Sequence, residues 1–115
     1  MAQTLAISES RAGAVVVLAV SGRIDSTNAE QLLGRLKQAL ASGEKALVLD
    51  LRDVAYLTSA AFRALLVATD EAERSMARFV LCSVLGQVHE LFEIGGLLEV
   101  FTIHASREEA VAQLS

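Results

Sequence analysis

"ALVLDLRDVAYLTSAAFRALL" spans Ala46 to Leu66. Its first six residues, Ala46 to Leu51, are apolar apart from Asp50. A short run of that kind predicts a strand covered on both faces. Further on, Phe62, Leu65, Leu66, Thr69 and Met76 fall on one helical stripe, with Arg63, Asp70 and Arg74 off it. A buried strand passing into an amphipathic helix is the building unit of an α/β fold. Thr58 and Ser59 stand at the junction. Ser and Thr are preferred helix caps, and a cap contributes on the order of 1 kcal/mol.

The same alternation extends in both directions. "TLAISES", from Thr4 to Ser10, sets Leu5 and Ile7 against polar neighbours and predicts a strand with one wet face. "AVVVLAVSG", from Ala14 to Gly22, is β-branched and apolar and predicts a strand covered on both faces. Arg11 to Gly13 is too short a connection for anything but an antiparallel pair. Thr27 and Glu30 have the spacing of a capping box. Ala29, Leu32, Leu33, Leu36 and Leu40 then recur at helical spacing, and Gly43 suits the stop. With a helix between them, the strands at 14–22 and 46–51 are expected to be parallel, joined by a right-handed crossover.

Beyond the first stretch, "RFVLCSV" (Arg78 to Val84) predicts a strand. Val88, Leu91 and Phe92 predict a short helix ended by Gly95 and Gly96. "LEVFTI" (Leu98 to Ile103) predicts a last strand. Ser106 and Glu109 form a second possible capping box before Ala110, Val111 and Leu114. The expected order is β-β-α-β-α-β-α-β-α. It describes one α/β domain over residues 1–115, with a mixed, mostly parallel sheet packed with helices on one face or both.

Bulk composition narrows the function. Hydrophobic residues make up 53% and charged residues 21% of 115 residues, so the chain can build a core. The net charge is −4 and no basic run exceeds two residues, which argues against a nucleic-acid partner. No basic segment followed by an apolar one opens the chain, and no apolar stretch approaches the ~20 residues of a membrane span. A soluble cytoplasmic protein without membrane insertion is the expectation. The single cysteine, Cys82, excludes an internal disulfide and reads as a small buried hydrophobe.

Candidate chemistry is sparse. His89, His104 and Cys82 lack any zinc-like spacing, so no metal or cofactor is expected. Ser59 lacks the Gly-flanked elbow of a serine hydrolase, and an unactivated hydroxyl is a poor nucleophile. No catalytic residue is assigned, and the chain is not expected to be an enzyme. Ser59 has another possible use. The start of a helix offers free amides and the positive end of the dipole, so a phosphate on Ser59 would meet the amides of Ala60, Ala61 and Phe62. The small Ala60 and Ala61 leave the hydroxyl open to a visiting active site. Capping and phosphate acceptance are compatible, and the residues alone do not choose between them.

The chain resembles a STAS domain of the anti-sigma factor antagonist type over nearly its whole length. "VSGRID" (Val20 to Asp25) is similar to that family's Gly-x-hydrophobic-Asp segment. "LVLDLRDVAYLTSAAFRALL" resembles its signature of strand, Asp, hydrophobic and Asp-Ser-Ser/Thr-Gly-Leu opening a helix. "HELFEIGGLLEVFTIHASREEAVAQL" is similar to its usual ending. The resemblance implies a protein that binds an anti-sigma factor which is also a serine kinase, thereby releasing a sigma factor. The kinase brings ATP and phosphorylates the serine, the complex breaks, and a PP2C-like phosphatase restores it. By position the phosphoacceptor is Ser59. The implied partner surface comprises Asp25, Ser26 and Thr27 with Thr58, Ser59, Ala60, Ala61, Phe62 and Arg63.

Three positions depart from the family pattern. Thr58 replaces the signature Asp, Ala60 the second hydroxyl, and Ala61-Phe62 the Gly-Leu pair. A methyl at Ala61 would crowd the kinase if that position required positive φ or close approach. The alternative is a docking subunit that is never phosphorylated, such as the STAS component of a lipid-transport ABC complex.

Overall fold

The computed structural model describes residues 5–115; residues 1–4, including the Thr4 that opens the first expected strand, lie outside the described residues. The elements are β1 (Ala6–Ala12), β2 (Val15–Ile24), α1 (Ala29–Ala41), β3 (Ala46–Leu57), α2 (Ser59–Arg74), β4 (Arg78–Cys82), α3 (Gly86–Ile94), β5 (Ile103–His104) and α4 (Arg107–Leu114). Their order is the one the sequence predicts. The five strands form one sheet in the order β1-β2-β3-β4-β5, with β1 antiparallel to β2 and the other pairs parallel. β1 runs on to Ala12, so the hairpin turn is Gly13-Ala14 rather than Arg11 to Gly13. Gly13 supplies the φ of 63° that a two-residue hairpin requires.

Helices cover both faces. On one face Val16, Leu18, Ile24, Leu47, Leu49 and Leu57 meet Leu32 and Leu36 of α1, Ala61 and Leu65 of α2 and Phe92 of α3. On the other, Val15, Val17, Val48, Val80 and Cys82 meet Ala110 and Leu114 of α4. The continuous apolar run in β2 is thus explained, because neighbouring residues bury on opposite faces.

Several boundaries differ from expectation. β3 continues six residues past Leu51, to Leu57. The buried Asp50 does not interrupt it. Asp50 Oδ2 accepts from Arg107 Nε and from a second guanidinium nitrogen, both at 2.9 Å, and Oδ1 accepts from the Arg52 amide at 3.0 Å. β4 stops at Cys82, short of Val84, because Ser83 takes a φ of 58°. The strand expected over Leu98 to Ile103 reduces to Ile103–His104. Residues 97–100 turn instead, the Val100 amide reaching the Leu97 carbonyl at 3.1 Å, and Phe101 plugs the core. The Thr27–Glu30 box does not form: Asn28 holds the N-cap position of α1. The Ser106–Glu109 box forms by half. Ser106 Oγ accepts from the Glu109 amide at 3.1 Å, while the Glu109 carboxylate turns to His104.

Three helices end the same way. The residue past each C-cap is left-handed: Gly43 at φ 90°, Met76 at 57° and Gly96 at 70°. The amide after it then bonds back to the last turn, from Glu44 to Ala39, from Ala77 to Ala72 and from Leu97 to Phe92. Two of these positions are glycine. The third is a methionine, and its side chain is 88% exposed.

Candidate functional site

Ile24 and Leu57 are register partners and the last residues of β2 and β3. The loops that leave them start side by side at the carboxyl ends of two parallel strands. The Thr58 amide donates to the Ile24 carbonyl at 3.0 Å, and Thr58 Oγ1 donates to the same oxygen at 3.4 Å. Thr58 is extended (φ −99°, ψ 176°), which suits its β-branched side chain. Its carbonyl accepts the amides of Ala61 (3.0 Å) and Phe62 (3.2 Å). Those two amides are therefore not open to a phosphate, contrary to the sequence expectation. The amides of Ser59 and Ala60 make no hydrogen bond to another described residue. No side chain caps α2, so the capping reading of the two hydroxyls does not hold.

The loop after β2 is organised by its own polar groups. Asp25 Oδ1 accepts from the Thr27 amide (2.9 Å) and from Thr27 Oγ1 (2.6 Å). These bonds, the hydroxyl's first, hold the Asp25 carboxyl below the usual carboxylate range. Asn28 Oδ1 accepts the Asp25 amide at 2.9 Å, and Asn28 Nδ2 donates to the Arg23 carbonyl at 2.9 Å. At 2% exposure Asn28 is the buried clamp of this loop. Sequence reasoning passed over it. The available signal was a side chain with both a donor and an acceptor, placed just before a helix.

Between α1 and α2 lies an open groove of about 410 Å³. Ala29, Leu33, Ala64 and Val67 give it an apolar lining, and Ser26, Glu30, Ser59 and Arg63 supply its polar groups. The fold thus brings Ser26, Ser59, Ala60 and Arg63 together from the expected set. Asp25 and Thr27 form the turn that presents Ser26. Ala61 is fully buried and lies outside the left-handed region, so its methyl occupies the core and no crowding of a visitor arises. Phe62 also turns inward, edge-to-face on Phe92 at 5.0 Å between ring centres.

Ser59 is exposed, and no hydrogen bond joins its hydroxyl to a basic side chain of the described residues. His104 lies against Glu109 of α4, and His89 is an exposed residue of α3. Burial, reinforced by the Asp50 charge, pushes the Cys82 thiol up to about 11. Among the described residues no three His, Cys, Asp or Glu side chains converge as metal ligands. No helix of the described residues is long and apolar enough to cross a membrane.

The sequence matches the family model of the STAS domain over residues 7–110. It is 36% identical over 98 residues to BtrV of Bordetella bronchiseptica, provisionally named an anti-sigma factor antagonist; the match covers 85% of this chain and 84% of that protein. Its fold is similar to the crystal structure of an anti-sigma factor antagonist from Mycobacterium paratuberculosis. The TM-score is 0.86 at 22% identity, over 96% of this chain and 93% of that one. It is also similar to the Bacillus cell fate determinant SpoIIAA in its phosphorylated form, with a TM-score of 0.73 at 20% identity, over 96% of this chain and 100% of that one. A family match of this extent, on a sheet and helix order that agrees with it throughout, makes the chain a member of the STAS-domain family.

Proposed function

We propose that this chain is an anti-sigma factor antagonist of the cytoplasm, switched by phosphorylation at Ser59. The observation that carries the reading is the Ser59 hydroxyl itself: exposed, on the first residue of a well-anchored helix, beside a groove and without a basic partner. A hydroxyl so placed is a poor nucleophile alone but accessible to another protein's active site. The anti-sigma factor, acting as a serine kinase, binds the groove region and supplies ATP. Ser59 Oγ attacks the γ-phosphorus, the bond from that phosphorus to the β–γ bridging oxygen breaks, ADP leaves, and the hydroxyl proton passes to a base of the kinase. The product carries about −1.5 to −2 of added charge at the docking surface, which disfavours rebinding through desolvation and repulsion. A PP2C-like phosphatase removes the phosphate and restores the binding form.

The contact surface is assigned to Ser26, Thr58, Ser59, Ala60 and Arg63, with Asp25 and Thr27 fixing the neighbouring turn; Ala61 and Phe62 support it from beneath. The designation of the 36% identical relative supports the antagonist role. Incubation with a candidate anti-sigma serine kinase and ATP, followed by peptide mapping, tests the reading. Phosphate on Ser59, and its loss in Ser59→Ala with partner binding retained, is the expected result. Phosphate on Ser83 or Ser106 alone overturns the assignment, and no modification at all favours a constitutive docking subunit.

A further inference from the structure

We propose that Arg63 captures the phosphate of phosphorylated Ser59, so that the modified protein occupies its own groove with an intramolecular ion pair; this rests on Ser59 being the phosphoacceptor. Ser59 and Arg63 stand at positions i and i+4 of α2, both exposed and both lining the α1–α2 groove. Side chains at that spacing leave their Cβ atoms about 5–6 Å apart, within reach of a guanidinium, and the anion lies N-terminal to the cation, the favourable order. Arg11, Arg35, Arg74 and Arg107 are each engaged with a carboxylate, whereas Arg63 is in none of the ion pairs of the described residues. A guanidinium offers a planar fork that fits two phosphate oxygens at once.

The surrounding charges leave Arg63 without a competitor for this role. Glu30 of α1 lines the same groove, and Asp25 sits in the turn next to Ser26; both are anionic. Arg63 is the only cationic side chain among the groove-lining residues. In the unmodified protein Arg63 lines the groove and is in none of the ion pairs of the described residues. Phosphorylation then acts twice. It adds about −1.5 to −2 of charge, and it engages the cation that lines the groove.

The test installs phosphoserine at position 59 by genetic-code expansion, with no kinase involved. The second ionisation of the phosphate is followed by ³¹P NMR at about 0.1 M salt, where surface pairs are already screened. In the native background it is expected about 0.2–0.4 pH unit lower than in Arg63→Gln, the order an exposed charge pair on one helix produces. The Arg63 Nε–H resonance is expected to shift on phosphorylation. Unphosphorylated Arg63→Gln should melt with the native protein, since Arg63 is exposed and unpaired. An unchanged phosphate titration together with an unmoved Nε–H resonance overturns the pairing while leaving Ser59 as acceptor. Failure of the kinase to modify Ser59 overturns the acceptor assignment and leaves the NMR result standing.

Discussion

Met76→Gly should stabilise this protein. Met76 sits just past the C-cap of α2 at a φ of 57°. Holding an L-residue there costs roughly 1–2 kcal/mol. Glycine removes that strain but gives the unfolded chain more freedom, a loss of roughly 0.5–1 kcal/mol. The methionine side chain is 88% exposed, so its removal forfeits almost no burial. The two bonds that close the helix, from the Ala77 amide to Ala72 (2.8 Å) and from the Met76 amide to Glu73 (3.1 Å), are backbone bonds and survive the change. The balance is a gain of about 0.5–1 kcal/mol, or roughly 2–5 °C in Tm for a domain of this size. Urea unfolding followed by circular dichroism reads it as a higher midpoint at unchanged slope. Gly43→Ala and Gly96→Ala, at φ 90° and 70° with open space around each, serve as the reverse controls and should each lose about 1 kcal/mol. A Met76→Gly midpoint at or below the native one, with the slope unchanged, refutes the reasoning.

The Asp50–Arg107 pair should respond asymmetrically, because the Asp50 side chain is 6% exposed and that of Arg107 is 42%. Arg107→Met strands a buried carboxylate and should cost about 2–3 kcal/mol, below the 3–5 of a fully buried pair. Asp50→Asn keeps an acceptor for the Arg52 amide and leaves a cation that water can reach, so it should cost about 1 kcal/mol in the same denaturation assay. Thr27→Val removes the largest influence lowering the Asp25 carboxyl, which should then titrate higher by ¹³C NMR. Because the folded carboxyl is depressed, the stability it contributes is present above about pH 4 and lost as pH falls through its folded value; Asp25→Asn should flatten that part of the acid-unfolding curve. Cys82 is fully buried and its thiol is raised to about 11, so it should resist a thiol reagent at pH 8 until urea unfolds the chain. Rapid native-state labelling would contradict its place in the core.

The sequence made the element order legible because strands and helices here differ in period and are bounded by glycines. The α2 stripe shows where that legibility fails. Phe62, Leu65, Leu66, Thr69 and Met76 looked like the buried face, yet the buried residues are Ala61, Ala64, Leu65, Ala68 and Ala72. Small side chains let α2 lie close to its neighbours, so the interior face is marked by size rather than by bulk apolarity. Leu66 and Met76 are left in water. The last strand misled for a different reason. "LEVFTI" is apolar because Phe101 fills the core beneath Phe92, 5.6 Å away between ring centres, and not because it forms a ladder. At the candidate site, the strand-end positions of Ser59 and Asp25 were readable, but the clamp made by Asn28 was not. Its role lies in two hydrogen bonds to backbone groups of neighbouring residues, which exist only once the chain has turned.

The doubly bonded Ile24 carbonyl sets a limit on how this protein can respond to modification. Thr58 is fastened to β2 through that oxygen, Ala61 is sunk in the core and Phe62 is locked against Phe92. Ser59 therefore projects from a stiff mount, with no slack in the first turn of α2 to absorb a new group. A mark placed there changes what the surface presents and leaves the backbone where it was. On the switch proposed above, such a mount would give no slow relaxation and no hysteresis: the response would follow the rates of the enzymes that write and erase the mark, and the molecule would keep no record of its previous state.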